Sequence, residues 1–368
     1  MFNLKKQISK LYLSSVLGSL SLTGAWVAIL AARGYSLVEI GLAETVFHIT
    51  SLLFEIPSGV LADVFGRKTT LLVSTALRMT GAVIMIFSGN LFMVCASLTF
   101  HAMGYNFSSG SGDALAYDSL KAAQREDYYE KYASNQMVIH RLCSGISTLC
   151  AGFALFIGHR AAYGTDILMG MVQIGILISL KENRIDRHND VSRKKMLDSI
   201  KKELLSCFIT SLSFLKRQKK ALFLMFCNSL VGAVDVLLLF FLQAKLPEAG
   251  IPKPFLGFAL FFMETGGIPG AKIILRCEKL RYKSIFAIAA FLVFSGVLIE
   301  HTGMYVLMAI GGFIAAFSDD ALQVRTNTIL QDMFPSEQRA TLISVESFTF
   351  SMIMIILSPL AGVLFSHW

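Results

Sequence analysis

Long apolar runs separated by short polar segments make up most of the chain. The runs are about twenty residues long, the length that an α-helix needs to cross the roughly 30 Å hydrocarbon core of a bilayer. We predict about eleven membrane helices, here called spans 1 to 11, at about 11–32, 37–58, 69–88, 91–119, 134–158, 162–180, 221–243, 255–275, 284–300, 304–330 and 341–366. The alternating ten-residue strands of a membrane barrel do not appear. The pattern therefore predicts an all-α polytopic membrane protein.

Charged residues are few and unevenly placed. They make up 16% of the chain, against about a quarter in a soluble domain. With the N-terminus in the cytoplasm, 26 of the 33 Lys and Arg residues lie in inner segments and 4 in outer ones, and the other three lie within spans. This bias follows the positive-inside rule and predicts a cytoplasmic N-terminus in the cell membrane. The net charge of +8 therefore faces anionic lipid, and we expect no nucleic-acid partner.

A polar stretch divides the spans into six and five. We predict an N-terminal bundle at 1–180, a cytoplasmic linker at 181–220, and a C-terminal bundle of five spans at 221–368. Apolar and basic residues from Met196 to Phe214 alternate with the period of an amphipathic helix, which would lie on the inner membrane surface. The two halves are also related by a repeat, because the motif SGDAL of span 4 recurs as SDDAL in span 10.

Residues 59–68 read GVLADVFGRK and join spans 2 and 3. They match the loop signature G-x-L-A-D-x-x-G-R-[KR], and the chain resembles a major facilitator superfamily transporter over nearly its whole length. The stretch 33–68 resembles bacterial drug-efflux-like members in particular. The resemblance implies two six-helix bundles around one cavity, alternating access by rocking of the halves, and the proton gradient as driving force without a cofactor. We expect a monomer in the lipid bilayer that binds protons and a small-molecule substrate.

The chain departs from the family pattern in three places. Family members have twelve spans, whereas this chain stops at Trp368 after span 11, so the twelfth span is expected to be missing. Span 5 contains Gly145, Gly152 and Gly158 but not the Gly-Pro pair that is usual in antiporters of the family. Span 4 has His101 near the depth where an arginine is common. An uptake symporter for a small nutrient and a truncated, non-transporting remnant therefore remain alternatives.

Each position of the loop signature suits a physical role. Gly59 is expected to allow a close helix approach, and Gly66 a tight turn between spans 2 and 3. Asp63 suits the positive N-terminal end of another helix, which the resemblance places at span 11. Arg67 suits a carboxylate, and the resemblance points to Asp118 in span 4. We predict a cytoplasmic latch that holds the outward-open state.

The repeat predicts a second latch with the charges exchanged. The offset between the two motifs places Arg325 of span 10 opposite Asp118 of span 4. The partner of Arg325 in this second latch would be Glu278. The alternative for the basic pair of the loop signature, Arg67 and Lys68, is a simple role as positive-inside anchors.

Ionisable side chains inside membrane helices are costly and are functional candidates by default. Nine acids lie in the predicted spans: Glu44, Glu55, Asp113, Asp118, Asp235, Glu264, Asp319, Asp320 and Glu346. The candidates for proton coupling or the substrate cavity are Glu44, His48, Asn106, Asp113, Arg141, Asp235, Glu264 and Asp320. Asp113 is the first candidate for proton coupling, because a desolvated carboxylate can carry a proton. For each residue the alternative is a structural role.

The basic residues within spans are assigned by the same argument. Arg141 suits an anionic substrate or a pair with Asp113, and we favour the pair. Arg78 lies on span 3, which is peripheral in the family, and is expected to be structural. His48, His101 and His140 are expected to be packing residues, and their spacing gives no metal site.

These features together predict a secondary transporter that couples proton movement to the export of lipophilic or cationic small molecules. Nine acids against three arginines within the spans favour cations over anions. The sequence contains no nucleotide-binding loop, metal-ligand cluster or catalytic triad pattern, so we do not expect an enzyme.

Overall fold

The computed structural model describes residues 3–182, 218–277, 279–333 and 339–367. Across these ranges the regular structure is helical, with no strand, which confirms the all-α prediction. The amphipathic helix predicted from Met196 to Phe214 lies outside the described residues. Large apolar side chains point outward, as expected in lipid: Phe92 is 80% exposed and Phe156 is 82% exposed.

Fifteen α-helices are described, numbered here in chain order. They are α1 (Leu4–Ser19), α2 (Trp26–Ala32), α3 (Leu37–Phe65), α4 (Arg67–Phe87), α5 (Leu91–Ser108), α6 (Ser111–Ala122), α7 (Tyr129–Leu149), α8 (Ala151–Ile157), α9 (His159–Ile178), α10 (Lys219–Glu248), α11 (Lys253–Thr265), α12 (Gly267–Ile273), α13 (Tyr282–Ile299), α14 (Tyr305–Met333) and α15 (Arg339–Ser366). Spans 1, 4, 5 and 8 each consist of two helices, and every other span is one helix.

Span 4 is broken, so the prediction of one continuous helix over 91–119 is wrong. The backbone leaves the helix after α5, and Gly110 adopts a φ of 69°, in the left-handed region that favours glycine. The second part, α6, also carries Asp113 and Asp118. Within the described residues, nine segments are long and apolar enough to cross a membrane, and the bent pair α7–α8 makes ten. Span 4 is the predicted segment that these ten do not include.

The chain forms two compact units. Unit 1 contains the described residues of Met1–Gly24, Ile49–Ser147 and Gly158–Thr210, and unit 2 those of Ala25–His48, Thr148–Ile157 and Ser211–Trp368. The units differ from the predicted sequence halves because parts of spans 1, 2 and 5, at Ala25–His48 and Thr148–Ile157, pack within unit 2. Glycines permit this packing: a Cβ at Gly41 would collide with the carbonyl oxygen of Ser358. The two-bundle division at 181–220 stays a prediction.

Each unit has its own apolar core. In unit 1, Leu11, Leu115 and the fully buried Tyr132 pack with the end of α9. In unit 2, Met225 of α10 packs against Leu330 of α14 and against α15. These cores fix the helices that carry the polar residues described next.

Candidate functional site

Four carboxyl groups of spans 7, 8 and 10 lie close enough to interact electrostatically in unit 2. Asp235 of α10 interacts with Glu264 of α11 and with Asp319 and Asp320 of α14. Glycines make room for two of them. An added Cβ at Gly232, one turn before Asp235, would lie 3.1 Å from Oδ1 of Asp319. We call these four residues the carboxyl cluster.

A second glycine and a hydroxyl also lie next to the cluster. Gly267 faces the carboxyl group of Asp320 so closely that a Cβ there would collide with it. Thr148 Oγ1 donates a hydrogen bond of 3.1 Å to Oε1 of Glu264. Within the described residues, no group of three or more His, Cys, Asp or Glu side chains is arranged to hold a metal ion.

Electrostatic repulsion determines what the carboxyl cluster can do. Ionised carboxylates repel one another, and a membrane interior weakens their solvation. Neutralisation by a proton or by a cationic ligand relieves both costs. The cluster can therefore bind a proton or a cationic ligand. Binding of one reduces the repulsion and so weakens the affinity of the cluster for the other.

Arg78 of α4 is the centre of a polar network in unit 1. Its Nη1 donates to the carbonyl oxygen of Gly18 at 2.8 Å, and its Nη2 donates to Oε1 of Gln173 at 2.9 Å. Gln173 Nε2 in turn donates to the carbonyl oxygen of Ser14 at 2.9 Å. The expected structural role of Arg78 is thus visible, because it ties α1, α4 and α9 together. Its Nε remains buried without a hydrogen-bond partner.

Two cavities adjoin Arg78. The larger, of about 270 Å³, is lined by Ser14, Arg78, Asp113, Gln136, His140 and Gln173, among others. The smaller, of about 130 Å³, is lined by Arg78, His101 and Asp166. Asp166 of α9 accepts hydrogen bonds from the hydroxyl groups of Ser21 (3.0 Å) and Thr23. The Asp113 carboxyl group is exposed to the larger cavity.

Three sequence candidates of spans 2 and 4 have identifiable partners, namely Glu44, His48 and Asn106. Glu44 Oε1 and His48 Nε2 lie 3.1 Å apart, and both side chains are buried. Ser51 Oγ donates to Asn106 Oδ1 at 2.9 Å, and Asn106 Nδ2 donates back to the carbonyl oxygen of Ser51. Asn106 therefore joins α3 to α5 as part of the packing of unit 1.

The favoured pair of Arg141 and Asp113 is not formed. Arg141 is exposed on α7, and no ion pair or hydrogen bond joins these two described residues. The reason is geometric: Asp113 faces the cavity that Arg78 lines, whereas Arg141 does not line that cavity.

The loop signature forms a turn with reciprocal caps. Gly66, with φ 95° and ψ 152°, separates α3 from α4. The backbone N–H of Lys68 donates to Oε1 of Glu182 at 3.2 Å. Lys68 Nζ donates to the carbonyl oxygens of Ile178 (2.6 Å) and Leu180 (2.8 Å), beyond a simple anchoring role. The basic side chain thus caps the C-terminal end of α9, and Glu182 caps the N-terminal end of α4.

The described residues include only some of the side chains of the two predicted latches. Arg67 has an interaction partner, and the described hydrogen bonds do not identify Asp118 as that partner. The side chain of Asp63 and all of Glu278 lie outside the described residues. Arg325 Nη2 donates to the carbonyl oxygen of Cys277 at 2.7 Å. Both latches therefore stay predictions.

The described residues show no close approach at Gly59, and its expected role in helix packing stays a prediction. No heavy atom of the described residues lies within 4 Å of the position that a Cβ would take there. The membership of Gly59 in the latch also stays a prediction.

Sequence reasoning missed three members of the polar networks. Asp166 and Gln173 lie on span 6 and were not among the candidates, and Asp319 was counted as an acid in a span but not as a site residue. Asp319 could have been found from the repeat, since it lies in the recurring SDDAL motif. Gln173 gives no signal in the sequence, because its role depends on the neighbouring Arg78 and Ser14.

The chain is similar in sequence to known transporters of one family. Residues 11–359 match the family model described as Major Facilitator Superfamily. A stretch of 46 residues is 41% identical to the "Uncharacterized MFS-type transporter YxaM" of Bacillus subtilis (strain 168), and the match covers 12% of this chain and 12% of that protein's length.

Solved structures of similar shape are transporters. The chain is similar to the nucleoside transporter NupG (TM-score 0.72, 14% identity, 100% of this chain and 92% of that one). It is also similar to a D-xylose-proton symporter (TM-score 0.63, 13% identity, 96% and 87%). A third is the peptide transporter POT (TM-score 0.68, 13% identity, 98% and 90%). At such identities these likenesses show the fold alone.

Proposed function

The chain belongs to the Major Facilitator Superfamily, and from this premise we propose that it is a proton-coupled secondary transporter that exports cationic or lipophilic small molecules. The observation that carries the proposal is the carboxyl cluster of Asp235, Glu264, Asp319 and Asp320.

Exchange follows from the electrostatics of this cluster. A proton and a substrate cation each relieve the repulsion between the same carboxyl groups, so they compete for the cluster. A carrier that alternates its access between the two sides then moves protons one way and the cation the other. Asp235 is the central member, because its charged neighbours are the other three acids.

The proposal includes the location and the moving parts. We place the protein in the cell membrane with a cytoplasmic N-terminus, because of the positive-inside bias. The predicted halves at 1–180 and 221–368 would rock about the substrate, with the linker on the cytoplasmic side. The loop signature would act as the cytoplasmic latch, in which Asp63 and Arg67 hold the outward-open state.

Uptake by symport is the second candidate. It is favoured by span 5, where the Gly-Pro pair usual in antiporters of the family is missing and the helix instead bends by 50° between α7 and α8. In a symporter the proton and the substrate would bind together, so the carboxyl cluster would hold protons while the substrate occupied another site.

Everted membrane vesicles distinguish the two. Vesicles acidified inside by respiration would be treated with tetraphenylphosphonium, a lipophilic cation, and the internal pH followed with a fluorescent dye. We expect proton efflux with the wild type, loss of the response in Asp235→Asn, and no change in Asp332→Asn, an exposed matched control on α14. Efflux of equal size from vesicles with Asp235→Asn, or none from folded wild type, would refute the exporter.

A further inference from the structure

The larger cavity of unit 1 is lined by groups of opposite charge. It lies among α1, α4, α6, α7 and α9 and has a volume of about 270 Å³. Drug-sized ligands occupy pockets of about 300–1,000 Å³, so this cavity suits a smaller molecule or the polar part of a larger one. It contains one guanidinium group, from Arg78, and one carboxyl group, from Asp113.

Arg78 provides a donor that is held in place and not used by the protein. Two of its nitrogens are bound to Gly18 and Gln173, which fixes the guanidinium plane. Its Nε is buried and has no hydrogen-bond partner. Small residues give it room, since an added Cβ at Gly104 would lie 3.3 Å from the Arg78 backbone nitrogen and 3.0 Å from the Ser74 carbonyl oxygen. The hydrogen bonds to Gly18 and Gln173 use two of the five N–H groups of the guanidinium, so further donors remain on a side chain that lines the cavity.

Acceptor groups line the same cavity. Gln136 Nε2 donates to the hydroxyl oxygens of Ser15 (2.7 Å) and Tyr132 (2.6 Å), which orients the amide. Oε1 of Gln136 is then left buried without a partner. The Asp113 carboxylate has no hydrogen-bond partner among the described residues and is exposed to the cavity. A cationic N–H group in the cavity can pair with the exposed Asp113 carboxylate, beside the oriented amide of Gln136.

We propose that this cavity binds a dipolar substrate group, with an ammonium at Asp113 and Gln136 and a carboxylate or carbonyl oxygen at Arg78. The proposal rests on the proposed transport function and names its substrate class as small zwitterions or cations that carry a strong acceptor. A purely lipophilic cation would bring no acceptor to the Arg78 guanidinium. An anion would leave Asp113 unpaired beside it.

Three probes of matched length test the charge pattern. Binding of 4-aminobutyrate, butylamine and butyrate to the purified full-length protein in detergent would be measured by calorimetry. A hydrogen bond to a charged group contributes about 1.5–3 kcal/mol, so we expect 4-aminobutyrate to bind about tenfold or more tightly than either probe that lacks one end.

Substitutions at the two ends should change the preference in opposite ways. With Asp113→Asn, 4-aminobutyrate should lose its advantage over butyrate, and with Arg78→Gln its advantage over butylamine. The matched controls Asp127→Asn and Arg160→Gln are exposed and outside the cavity, and should keep the wild-type order. Asp113→Asn removes no hydrogen bond of the described structure, so it tests the proposal even if Arg78→Gln does not fold.

The outcomes separate this proposal from the proposed function. Equal binding of butylamine and 4-aminobutyrate, no binding of any probe to folded wild type, or an unchanged order in Asp113→Asn would overturn the dipolar site. Asp235→Asn should abolish proton coupling and leave the probe order intact. A dipolar site can therefore survive the failure of the exporter, and the exporter can survive the failure of the dipolar site.

Discussion

Replacing Gly66 by alanine tests the account of the loop signature most sharply. Gly66 adopts φ 95° and ψ 152°, a backbone region that is essentially restricted to glycine. An added Cβ would also lie 2.6 Å from each carboxylate oxygen of Glu182. Gly66→Ala therefore strains the backbone and displaces the carboxylate that accepts from the N–H of Lys68.

The two effects can be estimated separately. The backbone conformation costs a non-glycine residue about 1–3 kcal/mol. The lost cap at the start of α4 costs about 1 kcal/mol. We expect Gly66→Ala to lower the free energy of unfolding by about 2–4 kcal/mol in an SDS titration of the protein in mixed micelles.

A double-mutant cycle separates the clash from the strain. Glu182→Ala removes the cap and the clash together, so Gly66→Ala in that background should cost only the backbone term of about 1–3 kcal/mol. Gly175→Ala is the matched control, since it lies inside α9 with no atom within 4 Å of the added Cβ. It should be neutral or stabilise by about 0.5–1 kcal/mol. If Gly66→Ala behaves like Gly175→Ala, the described turn is refuted.

Three further substitutions test the packing around the candidate sites. Gly257→Ala puts a Cβ onto the backbone of α7, so we expect little folded protein by size-exclusion chromatography; a normal yield would contradict the packing of α11. Ser51→Ala removes the donor to Asn106 and should cost about 1–3 kcal/mol in the SDS titration, against no change if the contact is incidental. His48→Leu leaves Glu44 buried without its partner, so it should destabilise more than Glu44→Leu combined with His48→Leu; the reverse order would exclude the buried pair.

The membrane helices were predictable from the sequence because their signal is local. A run of about twenty apolar residues must cross the bilayer as a helix whatever its neighbours are. The break in span 4 was harder to predict, since a glycine such as Gly110 within the Ser- and Gly-rich stretch 108–112 can also stay helical. The turn at Gly66 was predictable because the loop signature specifies glycine there and because the turn is short.

The candidate sites were less predictable because they depend on which helices are neighbours. Helical spacing shows that Glu44 and His48 share a face, and the structure places them 3.1 Å apart. Spacing along one helix does not show that Arg78, rather than Arg141, lines the cavity of Asp113. Nor does it show that Gln173 orients Arg78, since these residues lie on α9 and α4.

Proton release on binding of a cation tests the central claim most directly. Purified protein in weakly buffered detergent solution would be mixed with tetraphenylphosphonium, and the pH followed with an indicator. Competition at the carboxyl cluster predicts that protons are released from the wild type and from Asp332→Asn, and that the release is lost in Asp235→Asn. Binding of the cation without any pH change, or the same release from Asp235→Asn, would contradict the account.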